Sequence, residues 1–454
     1  MSAGQRLLTA IFVLTLPLVT PRLRASDEIE YFVYLPSLVV DHDLEFGNEY
    51  QRFYDESPKT LDLFKGTFLD KREPDTGRHI NFGPIGTAVL WCPFYLSTHA
   101  ALHVGRALGA TVAADGLSRA YVVSVCYASA LYGFVGFLLI HSALRRFGGC
   151  EDAVAALAVA AMWLGTPALY YMTMAPGFSH AASLFAVSWL VWLWLRARER
   201  GGGSVADWLV IGAAGGLAGL VREQDALFLA APGLWLLFET ARRRGWLWGA
   251  GRALALASAA FAVFAPQLVV YKVLNGRFRP SRMVSGKLDF SSPHFLQVLF
   301  DPGHGLFLWT PLLLVGAVGL AWAVGRRRDG IAALLAVAFL LQVWINGCLY
   351  TWTQGGSFGS RRFVAATPIF AWGLAVLLSG LVPRIGRILT ATVLAAFIWW
   401  NVSLIVQFGL KLMDRQRLEW PRVAINQVVE VPPRLARVAW LFLTDRERLV
   451  REGV

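Results

Sequence analysis

The chain has 454 residues, of which 56% are hydrophobic and 16% are charged, and its formal net charge is +12. This composition excludes an ordinary soluble domain and indicates a protein with many membrane-spanning segments. The basic residues lie mostly in short clusters between apolar runs, a pattern that is typical of membrane topology signals and not of a nucleic-acid-binding surface.

Apolar runs near the roughly 20 residues that a hydrocarbon core requires recur along the whole chain. The first, Leu7–Val19, is either a membrane helix or the apolar part of a cleaved signal peptide. Arg22 and Arg24 favour the helix, because they stand where a cleavage site would lie. Two shorter runs flank a charged string at 222–225 and predict a hairpin. By this criterion we predict about eleven spans, at 7–19, 120–144, 153–172, 178–195, 208–220, 226–238, 253–271, 306–324, 331–350, 363–381 and 388–410.

The polar segment 27–81 is acidic, with thirteen Asp and Glu residues against six Lys and Arg residues. It is too short to be an independent domain. The apolar spacing from Ile29 to Val39 predicts an amphipathic helix on the membrane plane. The next segment, 82–102, opens with Gly83-Pro84 and is predicted to be a surface or re-entrant helix, because counting it as a span would move Arg145 and Arg146 to the outside.

Arginine clusters orient the chain, since they all fall on one side if the predicted spans alternate. By the positive-inside rule this side is cytoplasmic, and so is the N-terminus. The same alternation places four features outside: segment 27–81, the turn at Arg222, and the loops 272–305 and 351–362. The clusters are Arg145/Arg146, Arg196/Arg198/Arg200, Arg242/Arg243/Arg244, Arg326/Arg327/Arg328 and Arg384/Arg387.

The tail 411–454 would also lie outside, with a short amphipathic helix. It carries nine Lys and Arg residues against six Asp and Glu residues, whereas the positive-inside rule disfavours a net positive charge outside. The alternative is that the predicted number of spans is wrong by one and that the tail lies inside.

Familiar soluble-enzyme motifs are missing from the sequence, including a P-loop, His-Glu-x-x-His and Gly-x-Ser-x-Gly. The four cysteines show no Cys-x-x-Cys spacing, so neither a metal site nor a disulfide framework is indicated. Asp41-His42-Asp43 has the spacing of a nucleotide-sugar metal motif, but the two acids are predicted to cap a turn. We therefore predict no cofactor and keep a divalent cation as the alternative.

The sequence resembles the GT-C fold glycosyltransferases, in particular the bacterial branch that uses polyprenyl-phosphate sugars and includes arabinosyl and mannosyl transferases. The resemblance covers nearly the whole chain, although each motif is short. It is carried by Ser26-Asp27-Glu28 followed by 31–35 and 41–44, by Phe82-Gly83-Pro84-Ile85-Gly86 with Pro93-Phe94-Tyr95, by Gly177-Phe178-Ser179-His180, and by the segments 219–224 and 355–362.

This resemblance implies an all-α, GT-C-like transmembrane catalytic domain at 1–410. Its first outer loop, 27–81, would carry juxtamembrane helices and an acidic catalytic residue. The implied donor is a sugar on a polyprenyl phosphate, and the implied acceptor is a glycan, lipid or protein. The protein would be an integral membrane protein, expected in the bacterial inner membrane with its active site on the outer side.

An inverting sugar transfer needs a carboxylate that deprotonates the acceptor hydroxyl and cations that stabilise the leaving phosphate. Asp27 and Glu28 supply the carboxylates. Arg222, Arg361 and Arg362 supply cations on the outer face, where the topology bias disfavours them and where the arginine fork suits phosphate oxygens. His180, Lys287 and Asp43 are further candidates for substrate binding.

Each assignment has a structural alternative. Asp27 and Glu28 follow Ser26 and suit a solvated helix start. Arg361 and Arg362 suit interfacial anchors. For the protein as a whole, the alternatives are a ligase or polymerase that transfers a complete glycan, and a lipid or solute transporter. A transporter is disfavoured because the predicted spans are almost free of charge at their centres.

Overall fold

The computed structural model describes residues 1–57, 62–284, 287–446 and 448. Within those residues the regular elements are helices, and only two isolated β-bridges occur, Arg72 with His79 and Leu288 with Leu349. The α-helices are α1 Ala3–Thr15, α2 Ser26–Phe32, α3 Tyr34–Pro36, α4 Gly47–Glu56, α5 Asp62–Phe64, α6 Gly86–Ala107, α7 Arg119–Arg146, α8 Asp152–Leu164, α9 Pro167–Thr173, α10 His180–Glu199, α11 Val205–Val221, α12 Ala230–Glu239, α13 Trp246–Asn275, α14 Phe295–Phe300, α15 Leu306–Trp309, α16 Pro311–Gly325, α17 Gly330–Gly347, α18 Thr367–Ile385, α19 Arg387–Gly409, α20 Trp420–Val428 and α21 Val431–Thr444.

Six helical segments of the described chain are long and apolar enough to cross a membrane, and a bent pair would make seven. Three shorter apolar helices, at Ala3–Leu18, Val205–Val221 and Pro311–Gly325, coincide with further predicted spans. The predicted all-α, polytopic class is therefore confirmed, and this is an integral membrane protein. The count of about eleven spans stays a prediction.

The bent pair consists of α8 and α9, whose axes differ by 67°. Gly165 and Thr166 end α8, and Pro167 begins α9 at a position where its missing N–H costs nothing. Asn401 on α19 donates its amide to the carbonyls of Leu164 and Thr166, at 2.8 and 2.9 Å. The break is stable in an apolar setting because a neighbouring helix satisfies the freed backbone groups.

Polar contacts show which segments lie at each end of the helix bundle. At the arginine end, Arg146 pairs with Glu199 at 2.7 Å, and Arg387 lies 3.6 Å from Glu151. The N-terminus lies there too, because Ser2 Oγ donates to Asp152 at 2.7 Å.

The C-terminal tail lies at the opposite end. It forms the helices α20 and α21, and after α21 the guanidinium of Arg446 donates to the carbonyl of Val19, beyond the end of α1, at 2.8 Å. The start of α1 and the end of α21 thus lie at opposite ends of the bundle.

The first polar segment builds its own aromatic core. Phe32, Phe46 and Tyr50 are fully buried, and Tyr50 packs edge-on against Phe64 with ring centroids 5.2 Å apart. Residues 29–35 are buried on all sides, so α2 and α3 do not form the amphipathic surface helix that the spacing predicted. The apolar spacing marked a helix correctly, but the aromatic residues that follow it cover its second face.

Helix α6 occupies the segment that was predicted as a surface or re-entrant helix. Its first residue, Gly86, lies so close to α11 that a Cβ would come 2.3 Å from the backbone of Leu220. It then runs along the first half of α7, where Trp91 Nε1 donates to Ser129 at 2.8 Å. These contacts fix the 82–102 segment at the end of the bundle away from Arg146.

Small residues hold α16 and α18 close together. A Cβ on Gly373 would lie 2.0 Å from the carbonyl oxygen of Gly316, and one on Gly319 would lie 2.1 Å from that of Gly373. Without a hydrophobic driving force between helices in lipid, such close packing is a main source of helix association.

We therefore expect Gly373→Ala to push α18 away from α16 and to cost about 1 to 3 kcal/mol of stability. Gly380→Ala, on the same helix, is the matched control, because its Cβ would meet only the Arg384 side chain at 3.5 Å. Thermal unfolding of the two variants in detergent makes the comparison. Equal melting temperatures would show that the crossing does not depend on the glycine.

Candidate active site

Asp27 lies in the first turn of α2 with its side chain 37% exposed. Its Oδ2 accepts a hydrogen bond from Arg361 Nη1 at 2.8 Å, which forms an ion pair with a side chain that is 21% exposed. The carboxylate is thus held by a cation and is still accessible. Such an arrangement suits a group that must accept a proton from an incoming molecule.

Arg361 begins a 3-10 turn, Arg361–Ala366, that leads into α18. Its guanidinium also packs over the ring of Phe178 at 5.2 Å. The preceding loop is fixed by its own polar groups, since Gln354 donates to Ser360 Oγ at 3.0 Å and accepts from the backbone N–H of Arg362 at 3.1 Å. Gly359, with φ +60°, completes the turn at a position that only glycine adopts readily.

Arg222 follows the last residue of α11, and its Nη1 donates to Nδ1 of His180 at 2.6 Å. Because arginine can only donate, this geometry makes Nδ1 the acceptor and leaves the imidazole proton on Nε2. His180 starts α10, is 2% exposed, and packs against the rings of Tyr171 and Phe178. His180 therefore links Arg222 to the Phe178 ring, over which Arg361 also packs.

Arg362 is held differently from Arg361. Its Nη2 donates to Thr351 Oγ1 at 3.0 Å, while Nη1 is buried and has no hydrogen-bond partner among the residues that the structure describes. A buried guanidinium N–H without an acceptor lowers the stability of the fold, and an anionic ligand at this position would supply the missing acceptor.

The cluster carries an excess of positive charge. It contains three guanidinium groups and the carboxylate of Asp27, whose ion pair within the described part of the chain is with Arg361. Two further acids, Glu223 and Asp225, follow Arg222 in the chain, and neither forms an ion pair among the described residues; Asp225 is fully buried, and its Oδ2 accepts a hydrogen bond from Ser183. The geometry therefore favours binding of an anion beside Asp27.

Glu28, the other predicted catalytic acid, is 3% exposed. Its Oε2 accepts from the backbone N–H groups of Arg24 and Ala25, at 2.8 and 3.0 Å, which caps the start of α2. Burial raises the pKa of Glu28 to about 7, although these hydrogen bonds act in the opposite direction. The Glu28 side chain fits here because residue 177 is a glycine: a Cβ at that position would lie 3.0 Å from Glu28 Oε1. This placement favours the structural alternative for Glu28.

Glu30 is a buried acid that the sequence did not single out. It lies one turn after Asp27, is 4% exposed, and accepts from the backbone N–H groups of Phe82 and Gly83 at 2.6 and 3.0 Å. Burial, assisted by the charge of Asp27, raises the pKa of Glu30 to about 8. The i, i+3 spacing from Asp27 was the available signal, because it places both acids on one helix face.

Lys287 lies on this side of α2. Its ammonium packs over the ring of Phe82 at 5.5 Å, and its charge opposes the rise in the pKa of Glu30. It therefore lies near Glu30, one turn along α2 from Asp27. Tyr31, also missed, connects α2 to the segment before α10, because its hydroxyl accepts a hydrogen bond from Ser179 Oγ at 3.3 Å.

Asp43 does not join the cluster. Its Oδ1 accepts from Ser37 Oγ at 2.9 Å and from the N–H of Glu45 at 3.1 Å, which closes the turn that the sequence predicted. Asp41 is bonded instead to Asn48. Among the described residues, no group of three His, Cys, Asp or Glu side chains is arranged to hold a metal ion.

Sequence comparison identifies one family match. Residues 117–270 match the model of a family described as dolichyl-phosphate-mannose-protein mannosyltransferase. This span includes His180 and Arg222 but neither Asp27 nor Arg361. No curated protein matches the chain by sequence.

Similar solved structures cover most of this chain. The oligosaccharyltransferase of Archaeoglobus fulgidus in its apo form has 12% identity and a TM-score of 0.52, and the match covers 97% of this chain and 60% of that one. Archaeoglobus fulgidus AglB, solved with an inhibitory peptide and a dolichol-phosphate, has 13% identity and a TM-score of 0.50, with 97% and 59% covered. ArnT from Cupriavidus metallidurans, solved with undecaprenyl phosphate, has 17% identity and a TM-score of 0.47, with 93% and 74% covered.

These matches confirm the GT-C fold and the predicted resemblance to membrane glycosyltransferases of that type. This chain spans about three fifths of the length of the two archaeal proteins. At such low identity the likeness establishes the fold, so the chemistry has to be argued from the residues of this chain.

The raised pKa of Glu30 gives a test of the site's architecture. Because the folded state holds this proton more tightly than the unfolded state does, the stabilisation is complete below the usual pKa of 4.5 and is lost as the pH rises through about 8. Glu30→Gln keeps an oxygen that accepts from Phe82 and Gly83 but cannot ionise. We expect the variant to match the wild type near pH 5 and to melt at a higher temperature near pH 9.

Thermal unfolding across this pH range, in one detergent, supplies the measurement. Glu56→Gln is the control, since that side chain is exposed on α4. A difference between Glu30→Gln and the wild type that stays constant with pH would contradict the buried, protonated state.

Proposed function

We propose that this protein is a glycosyltransferase that moves a sugar from a polyprenyl-phosphate donor to an acceptor hydroxyl, with Asp27 as the general base. One observation carries the proposal: an accessible carboxylate and three arginines, from three separate parts of the chain, lie together at one end of the bundle. The pairing of a base with an anion site is what transfer from a phosphate-linked sugar requires.

In the proposed reaction, Asp27 accepts the proton of the acceptor hydroxyl as its oxygen attacks the anomeric carbon of the sugar. The bond between this carbon and the phosphate oxygen breaks, and the polyprenyl phosphate leaves with the electron pair. Attack from the face opposite to the phosphate inverts the anomeric configuration. The transferred sugar is a hexose or a pentose.

Arg222, Arg361 and Arg362 would hold the phosphate. Arg361 has a second role, because its contact with Asp27 fixes the base next to the leaving group. The unsatisfied Nη1 of Arg362 is the strongest support for an anionic ligand here, since charge-assisted hydrogen bonds to phosphate are among the stronger ones available in a partly dehydrated site.

The comparisons support the same class of donor. The matching family is described by a dolichyl-phosphate mannose, and the archaeal AglB structure holds a dolichol-phosphate. Both molecules belong to the polyprenyl-phosphate class of sugar carriers.

The active site is proposed to face the outer, periplasmic side of a bacterial inner membrane. The arginine-rich end of the bundle, which includes Arg146 and Arg387, would then be cytoplasmic by the positive-inside rule. No cofactor takes part in this proposal, because the arginines provide the positive charge that a divalent cation would otherwise contribute.

Transfer of a complete glycan is the alternative within the same fold, since two of the similar structures are oligosaccharyltransferases by their description. An assay that resolves the mass added to the acceptor separates the two, because one sugar residue and a whole oligosaccharide differ in mass.

The role of Asp27 is tested by Asp27→Asn, which keeps the size and a hydrogen-bonding oxygen but removes the basic carboxylate. We expect turnover to fall about 10²- to 10⁴-fold with donor binding largely intact. Asp43→Asn makes the same change in the remote turn and should leave turnover unchanged. If Glu28→Gln were inactive and Asp27→Asn were not, the roles of the two acids would be exchanged.

The phosphate site is tested by single replacement of its three arginines. Arg222→Ala and Arg362→Ala should weaken donor binding by about 1.5 to 3 kcal/mol each. Arg361→Ala should lower turnover as well, because Asp27 also loses its partner. Arg52→Ala, on the exposed face of α4, is the control. Wild-type donor affinity in all three variants would move the phosphate elsewhere, with the loop from Lys272 to Lys287 as the next candidate.

A further inference from the structure

The arginine end of the bundle contains two grooves that differ in charge. The first has a volume of about 440 Å³ and is lined by Arg146, Arg198 and Arg244 together with Glu199 and Glu239. The second has a volume of about 720 Å³ and lies between the ends of α16 and α18. Both grooves lie at the end of the bundle opposite to the candidate active site.

The first groove carries both signs of charge. Arg146 pairs with Glu199 at 2.7 Å, and Glu239 adds a second acid to the lining. Two acids therefore offset most of the charge of its three arginines.

The second groove has three arginines, Arg326, Arg327 and Arg384, and no acid in its lining. In the described part of the chain none of the three forms an ion pair. Arg326 packs over the ring of Trp322 at 5.8 Å, and Arg384 donates to the carbonyl of Gly380 at 2.8 Å, which completes the end of its own helix.

The acids near the second groove are already engaged. Asp329 caps the start of α17 and accepts from the indole of Trp372 at 3.0 Å, and Glu151 lies 3.6 Å from Arg387. Neither acid lines the groove or pairs with one of its three arginines in the described part of the chain.

The walls of this groove are apolar. Trp322 and Leu381 are 49% and 39% exposed, and Leu377, Val376 and Pro383 continue the same surface. Cations at the rim and an apolar wall below it match a molecule with an anionic head and hydrocarbon chains.

We infer that this groove binds the headgroup of an anionic phospholipid from the membrane leaflet at the arginine end. The headgroup phosphate contacts Arg326, Arg327 and Arg384, and the acyl chains lie along Trp322, Leu377 and Leu381. This site is independent of the proposed transfer reaction, because it shares no residue with it.

The test uses the full chain purified in a non-ionic detergent. Dioctanoyl phosphatidylglycerol and dioctanoyl phosphatidylcholine are titrated while bound lipid is counted by native mass spectrometry. Each cation near an anionic headgroup contributes a factor of about five in affinity. We therefore expect phosphatidylglycerol to bind more than about tenfold more tightly than phosphatidylcholine, and each of Arg326→Gln, Arg327→Gln and Arg384→Gln to remove about a factor of five.

Two controls use arginines at the same end. Arg242→Gln changes an exposed arginine outside both grooves, and Arg146→Gln changes an arginine of the first groove that is paired with Glu199. Neither should alter the preference for phosphatidylglycerol. Equal binding of the two lipids, or an equal loss in the controls, would overturn the inference.

Inorganic phosphate separates a lipid site from a simple anion site. Millimolar phosphate should displace little dioctanoyl phosphatidylglycerol, because it lacks the acyl chains that contact Leu377 and Leu381. Complete displacement by phosphate would overturn the assignment to a phospholipid.

Discussion

The ion pair between Asp27 and Arg361 connects two parts of the chain that lie 334 residues apart. Asp27 begins the first polar segment, and Arg361 precedes one of the last apolar helices. The pair is only partly exposed, so each charge loses hydration and depends on the other. It joins α2 directly to the turn before α18, and so it holds the accessible carboxylate of Asp27 next to the arginine-bearing loop.

Near that contact, hydrogen bonds from other segments fix the loop that precedes Arg361. Tyr171 hydroxyl donates to the carbonyl of Phe358 at 3.2 Å, and His304 Nε2 bonds the carbonyl of Ser357 at 2.8 Å. The tail adds Gln416, which accepts from the N–H of Gly356 at 2.8 Å. An arginine-bearing loop that is fixed on three sides is pre-organised for an anion, so little conformational entropy is lost on binding.

The two ends of the bundle use arginine in different ways. At the candidate site the guanidinium groups are largely buried, and Arg222 is directed by His180. At the other end they are exposed, and they lie on apolar side chains such as Trp322 or pair with acids such as Glu199. In the roles that we propose, the same residue type acts in one place as a preorganised anion ligand and in the other as a topology signal that also contacts headgroups.

The sequence by itself determined the all-α membrane class of the protein and the presence of many apolar helices, because hydropathy acts locally along the chain. It also made Asp27 and the three arginines candidates, since an acid after the first apolar run and cations between apolar runs are local features. The tertiary structure decided the rest. It buried Glu28 as a helix cap, brought Glu30 beside Lys287, left Arg362 Nη1 without a partner and kept Asp43 in a remote turn. These outcomes depend on burial and on contacts between distant segments, and neither is encoded in the spacing of residues along one segment.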